Sequence, residues 1–135
     1  MSRSDFDLLS DIANAISAIR SHLTHGPPSE ALIMDAVAMR LLEIGEAVKS
    51  LSEPTTAAEP TIKWRQIARM RDRLAHHYFA THPEIIQSTI DKDLDPLDAA
   101  VARMLACSRR SSQTSQRNKA PGAQNHPPFT TSSRQ

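Results

Sequence analysis

Apolar residues recur every three or four positions through most of this chain, and nowhere do they alternate with polar ones in the period of two that a half-buried strand requires. Phe6, Leu9, Ile12, Ala13, Ile16, Ile19 and Leu23 make one helical stripe; Ile33, Val37, Leu41, Ile44, Val48 and Leu51 make a second. A third helix is expected from near Thr61–Lys63 to about Phe79. A fourth begins at "THPE", with Thr81 or His82 near its cap, and runs through Ile85, Ile86, Ile90 and Leu94. Leu97, Val101 and Leu105 extend it beyond Pro96, where a stop or kink is expected because proline lacks the N–H and clashes with the preceding turn. The pattern predicts an all-α, antiparallel bundle of four to five helices.

The punctuation agrees. Ser4 with Asp7 three residues later has the form of a capping box, and "THGPPS" ends the first helix and lets Ser29 cap the second. "SEPTTAAEPT" is the expected connection to the third, and Pro83 occupies a first-turn position where its missing N–H does no harm. Gly45 interrupts the second helix, where glycine costs about 1 kcal/mol relative to alanine. The compensation expected is close approach of another helix.

The charge is divided along the chain. The net of +1 for all 135 residues combines a net of −4 over residues 1–107 with a net of +5 over residues 108–135, which contain no acid. The last segment is Ser, Thr, Gln, Asn, Pro and Arg with almost nothing apolar, so it is expected to be a disordered basic tail behind a helical domain of residues 1–107. The single cysteine, Cys107, rules out an internal disulfide and a thiolate zinc site. No apolar run reaches the roughly 18 residues that a membrane span needs, and the acidic start lacks a signal-peptide core. A cytoplasmic protein is expected.

One segment departs from packing logic. "RMRDRLAHHYF", Arg69 to Phe79, places arginines, an aspartate, two histidines and a tyrosine on the third helix. On a helical wheel Trp64, Ile67, Arg71, Leu74 and Tyr78 share one stripe. Arg65, Arg69, Asp72 and His76 share another, roughly 140° away at 100° per residue. Arg71 therefore stands where a packing helix would carry leucine, and a guanidinium there must find a partner or an interface. Lys63 to Arg73 hold five cations and one acid, a local excess that attracts polyanions, and arginine forks match phosphate oxygens. With His76 and His77 beside them, these groups suffice for RNA cleavage without a metal. Histidine moves the proton and arginine stabilises the phosphorane. Arg71 and His76 are about 7.5 Å apart along an ideal helix and point in different directions. Either the helix distorts before His76 or a symmetric partner completes the site. Arg69 lies better in line with His76, so periodicity leaves the choice of arginine open. A plain solvated helix would pair Asp72 with His76 instead.

These residues resemble a known family. Arg71, four residues, then His76, His77 and Tyr78 is similar to the Arg-x(4–6)-His-x-Tyr signature of HEPN-domain proteins, in particular the HepT-like toxins, and Asp72 fills the place of the polar residue that commonly follows the arginine. "RLLEIGEAVKSLS" resembles the family's second helix, and "IKWRQIARMRDRLAHHYF" with "IIQSTIDKDLDPL" its third and the start of its fourth, so that residues 4–106 are covered and the tail is not. The resemblance favours Arg71 over Arg69. It implies a HEPN-type bundle that dimerises, and a metal- and cofactor-independent endoribonuclease with Arg71 and His76 catalytic and Asp72 supporting them. Arg65, Arg69, Arg73 and His77 would contact RNA. It further implies a type II toxin whose antitoxin, an MNT-type nucleotidyltransferase, silences it by binding and by AMPylation of Tyr78. The alternative is a non-catalytic helical partner that binds a nucleotide or a nucleotidyltransferase; a third reading places nucleic-acid binding in the tail. His22, His25 and His82 do not suggest a metal site, since no carboxylate or thiol recurs around them at ligand spacing. Glu43 and Glu46, with Arg40 and Lys49, are expected to form ion pairs along the helix surface, with a supporting role for Glu46 toward the third helix as the other reading. Trp64 is expected to be a core anchor.

Overall fold

The structure, a computed structural model, describes residues 4–76 and 83–118, with side chains to residue 110. Among the described residues it is all helix. α1 (Asp5–Leu23), α2 (Ala31–Ser50), α4 (Trp64–His76) and α6 (Leu94–Asn118) are the long elements, joined through the short α3 (Glu53–Ala57) and α5 (Pro83–Ser88).

α1 starts as expected: Ser4 Oγ accepts the Asp7 N–H at 3.2 Å. Asp5 and Asp7 lie at its positive N-terminal end, Arg20 and His22 at its negative C-terminal end. α2 differs. Its N-cap is Glu30 rather than Ser29, and no side chain caps it. α3 occupies the expected connection, with Pro54 in its first turn. It is clasped to α1 by the Asp5 carboxylate, which accepts from the Ser52 N–H at 3.2 Å and from the hydroxyls of Ser52 and Thr55. The two hydroxyls hold the Asp5 carboxyl below the ordinary carboxylate range, those of Ser52 foremost.

The core lies between α1, α2, α4 and α6. All six expected α2 positions are buried, as are Leu9, Ile12, Ile16 and Ile19 of α1. Phe6 is an exception at 40% exposed; Leu8 turns inward in its place. α1 and α2 pack together, α2 carries α4 on its other flank, and α6 closes against α1. Arg20 ties that last contact to Asp95 and Asp98 at 2.8 and 3.0 Å.

Pro96 does not stop the last helix, since α6 runs through it. Ahead of it the helix widens into a π turn over Thr89–Asp93, in which the Leu94 N–H reaches the Thr89 carbonyl five residues back. A wider turn supplies the room that a proline ring needs against the preceding carbonyls. Thr89, the one buried polar residue among those described, donates its hydroxyl to Ile85 O at 2.8 Å and lies 3.2 Å from Met70 Sδ, which fixes the π turn against α4. α6 also passes the compositional boundary at Ser108 without a break and continues to Asn118. An established helix extends at little cost per residue.

Candidate active site on the fourth helix

α4 begins at Trp64, whose indole N–H is shared by the carbonyls of Thr56 and Glu59 at 3.0 Å each. That makes Trp64 the expected anchor, fastening α4 to the segment before it. Ile67, Met70 and Leu74 bury the inner face. Between these and solvent, on the edge nearest α2, stands Arg71, its side chain 29% exposed.

Gly45 is what admits it. A Cβ built on Gly45 would collide with the Arg71 Cβ and lie 2.7 Å from its Cγ, so the arginine stem occupies the space of the missing side chain. The close approach expected from Gly45 is therefore the crossing of α2 and α4, and the residue at the crossing is Arg71. Its guanidinium pairs with Glu46 through Nη2 and with Asp72 Oδ1 through Nη1 at 3.2 Å. The same Asp72 oxygen accepts from Lys49 Nζ at 3.2 Å. Lys49 first, then Arg71, hold the Asp72 carboxyl below the ordinary range.

This corrects one sequence expectation. Arg40 and Glu43 do pair along α2 at 3.0 Å, but Glu46 and Lys49 reach across to α4. Asp72 takes Lys49 and Arg71 as partners, not His76. The sequence signal was present in Gly45 beside Glu46: a mid-helix glycine marks where a second helix comes near enough for its neighbour to touch. One cost is visible. Arg71 Nε is buried without a hydrogen-bond partner among the described residues, a penalty of about 1–3 kcal/mol. Partly exposed ion pairs of this kind return only about 0–1 kcal/mol each, so the cluster fixes geometry more than it adds stability.

Arg71 and Glu46 line an open cleft of about 910 Å³ between α1, α2 and α4, whose lining also includes the small residues Ala15, Ala18, Ala47 and Ala75. Arg69 and Arg73 lie elsewhere, in a groove of about 450 Å³ toward α5 and the π turn. The two candidate arginines are thus on different faces, and Arg71 alone is built into the helix crossing. Arg65, Arg69 and Arg73 have no ion-pair partner among the described residues, in contrast to Arg20, Arg40, Arg71 and Arg103. His76 is exposed at the last described turn of α4 and likewise has no partner there. The helix is regular up to it, so no distortion turns His76 toward Arg71. His77 and Tyr78, like Thr81 and His82, lie outside the described residues. Of the remaining histidines, His25 rests its Nδ1 against Ser21 O at 3.0 Å. Among the described residues no group of His, Cys, Asp or Glu gathers to hold a metal ion, and no helix is long and apolar enough to cross a membrane.

The fold is an all-α bundle that sets an arginine into a helix crossing and a histidine five residues on along the same helix. The chain belongs to the HepT-like ribonuclease family, whose model matches residues 12–104. It is 37% identical over 102 residues to "Probable ribonuclease HepT" of Thermococcus cleftensis, covering 72% of this chain and 92% of that one. It is 41% identical over 68 residues to "Putative RNase" of Caldanaerobacter subterraneus subsp. tengcongensis, covering 50% and 61%, and 49% identical over 51 residues to a "Putative RNase" of Methanocaldococcus jannaschii, covering 38% and 42%. No solved structure matches. The matched span includes Arg71, His76 and the α2 segment that carries Gly45 and Glu46.

Proposed function

We propose that the chain is a metal-independent endoribonuclease that acts in the cytoplasm as a homodimer, with Arg71 and His76 as its catalytic pair. The observation that carries this reading is the relation of those two residues. Arg71 is fixed at the cleft, whereas His76, five residues on along an unbroken helix, has no partner among the described residues. One copy does not bring both to one phosphate. A second copy related by a two-fold axis can set His76 of one α4 opposite Arg71 of the other, and the two copies' cleft walls then enclose the RNA.

In that site His76 accepts the proton of the ribose 2′-hydroxyl as its oxygen attacks phosphorus. The guanidinium of Arg71 neutralises the added charge on the phosphorane, and the bond to the 5′-oxygen breaks as that oxygen takes up a proton from water. The products carry a 2′,3′-cyclic phosphate and a 5′-hydroxyl. Asp72, bonded to Arg71 Nη1, supports its orientation. Arg65, Arg69 and Arg73, without an ion-pair partner among the described residues, hold the flanking phosphates, and His77 contributes a further RNA contact.

The chain then serves as the toxin of a type II toxin–antitoxin pair, with an MNT-type nucleotidyltransferase as antitoxin. Transfer of AMP to Tyr78, two residues past His76 in the sequence, would add a bulky anion that repels RNA. The test is RNA cleavage by purified protein with and without chelator. Cleavage that chelator leaves unchanged, and that Arg71→Ala and His76→Ala abolish while circular dichroism stays helical, is expected. Full activity in both variants would overturn the reading.

A further inference from the structure

Arg71 is held at two points of its length, both supplied by adjacent residues of α2. Its Cβ and Cγ lie on the bare backbone of Gly45, and its Nη2 meets the carboxylate of Glu46. One turn on, Lys49 Nζ sits 3.2 Å from Asp72 Oδ1, the oxygen that also receives Arg71 Nη1 at 3.2 Å. Glu46, Arg71, Asp72 and Lys49 so form a chain of alternating charge that crosses between α2 and α4 twice. Each terminal nitrogen of the guanidinium gives one contact to a carboxylate, and each has a second N–H for another acceptor. Because the contacts fall on different nitrogens, the plane of the guanidinium cannot turn about its stem without breaking one of them. Glu46 and Arg71 line the same cleft, so the constraint acts where substrate would enter.

We propose that Glu46 is the positioning residue for Arg71, fixing the plane in which the guanidinium meets a phosphate through the reach of its acceptor oxygen and not through its negative charge. The proposal rests on Arg71 being the phosphate-stabilising group. Gln at position 46 keeps the acceptor at the same reach without the charge; Asp keeps the charge and falls one methylene short. Charge alone would rank Asp above Gln, and positioning reverses that order.

The experiment compares wild-type, Glu46→Gln, Glu46→Asp and Glu46→Ala full-length chains by single-turnover RNA cleavage, thermal midpoint and 15N NMR of the arginine side chains. The Arg71 signals are identified by their loss in Arg71→Lys. Expected are a saturating single-turnover rate constant within about threefold of wild type for Glu46→Gln and a loss of tenfold or more for Glu46→Asp and Glu46→Ala, with a steady-state KM within twofold throughout. The Arg71 Nη signals should show hindered rotation in wild type and Glu46→Gln and averaged rotation in the other two. A wild-type rate constant in Glu46→Asp, or averaged Nη signals already in wild type, overturns the proposal. If Glu46→Ala fails to fold, the Gln and Asp variants still decide it. If wild type cleaves no RNA the nuclease reading falls, and the NMR comparison alone decides whether Glu46 positions Arg71.

Discussion

Gly45 on α2 and Arg71 on α4 occupy each other's space: the arginine stem fills the volume that any larger residue at position 45 would need. The glycine's helix penalty and the arginine's place in a packing stripe thus share one cause. Neither residue is intelligible without the other, and the next residue on α2, Glu46, closes the contact by pairing with the guanidinium.

Gly45→Ala should therefore destabilise the protein although alanine favours helix by about 1 kcal/mol. The new methyl would meet Arg71 near its backbone, not a flexible tip, so α4 must shift, at a net cost of about 1–3 kcal/mol. Thermal denaturation checks the stability. RNA cleavage at a temperature where the variant is fully folded should fall further than the folded fraction does, because the shift carries Arg71 with it.

Mixing two inactive proteins tests the composite site. If Arg71 of one copy works with His76 of the other, a heterodimer of Arg71→Ala and His76→Ala chains holds one intact site. Random exchange should then restore up to about a quarter of wild-type activity, since about half the dimers are mixed and each has one of two sites. No recovery after subunit exchange, verified by native mass spectrometry, would place both residues of a site in one copy.

Arg65, Arg69 and Arg73 carry no ion pair among the described residues, so their charge is available to RNA. Replacing all three with alanine should lower the slope of log affinity against log salt by about 2, at roughly 0.7 per phosphate lost on a single strand. The cleavage rate at saturating RNA should stay near wild type. An equal loss of rate at saturation would move these residues into the chemistry.

Acid should weaken the fold through three carboxyls. Asp5 is held below the ordinary range by the hydroxyls of Ser52 and Thr55, Glu59 by the Arg103 guanidinium, and Asp72 by Lys49 and Arg71. Each binds its proton more weakly when folded than when unfolded. Their stabilisation is therefore fully present above the unfolded carboxylate range, about 4, and is lost as pH falls through the lower folded values. Thermal midpoints should be level from about pH 7 to about pH 5 and then fall, and Asp5→Asn should make the fall shallower.

Intact mass after incubation with an MNT-type nucleotidyltransferase and ATP tests the proposed switch. Additions in AMP units that disappear in Tyr78→Phe, together with loss of RNA cleavage in the modified protein, are expected. Modification that leaves cleavage unchanged would separate Tyr78 from control of the site.

The sequence by itself determined the helices, their buried stripes, the break at "THGPPS" and the placing of Arg71 and His76 on one helix. Those follow from short-range rules: a 3.6-residue period, an N-cap, a proline or glycine at an end. A helical wheel gives the azimuth of a side chain on its own axis. It does not give which neighbouring helix faces that azimuth, or at what height. For that reason Glu46 and Lys49 read as partners within α2, and only the crossing at Gly45 turned them toward Arg71 and Asp72. The clasp of Asp5 on Ser52 and Thr55 joins residues 47 and 50 positions apart, a relation no local pattern contains. Tertiary packing also decided Leu8 over Phe6 for the core, and gave the irregularity expected near Pro96 the form of a π turn just ahead of it. Local chemistry set what each helix could present, and the distance between helices set what each residue met.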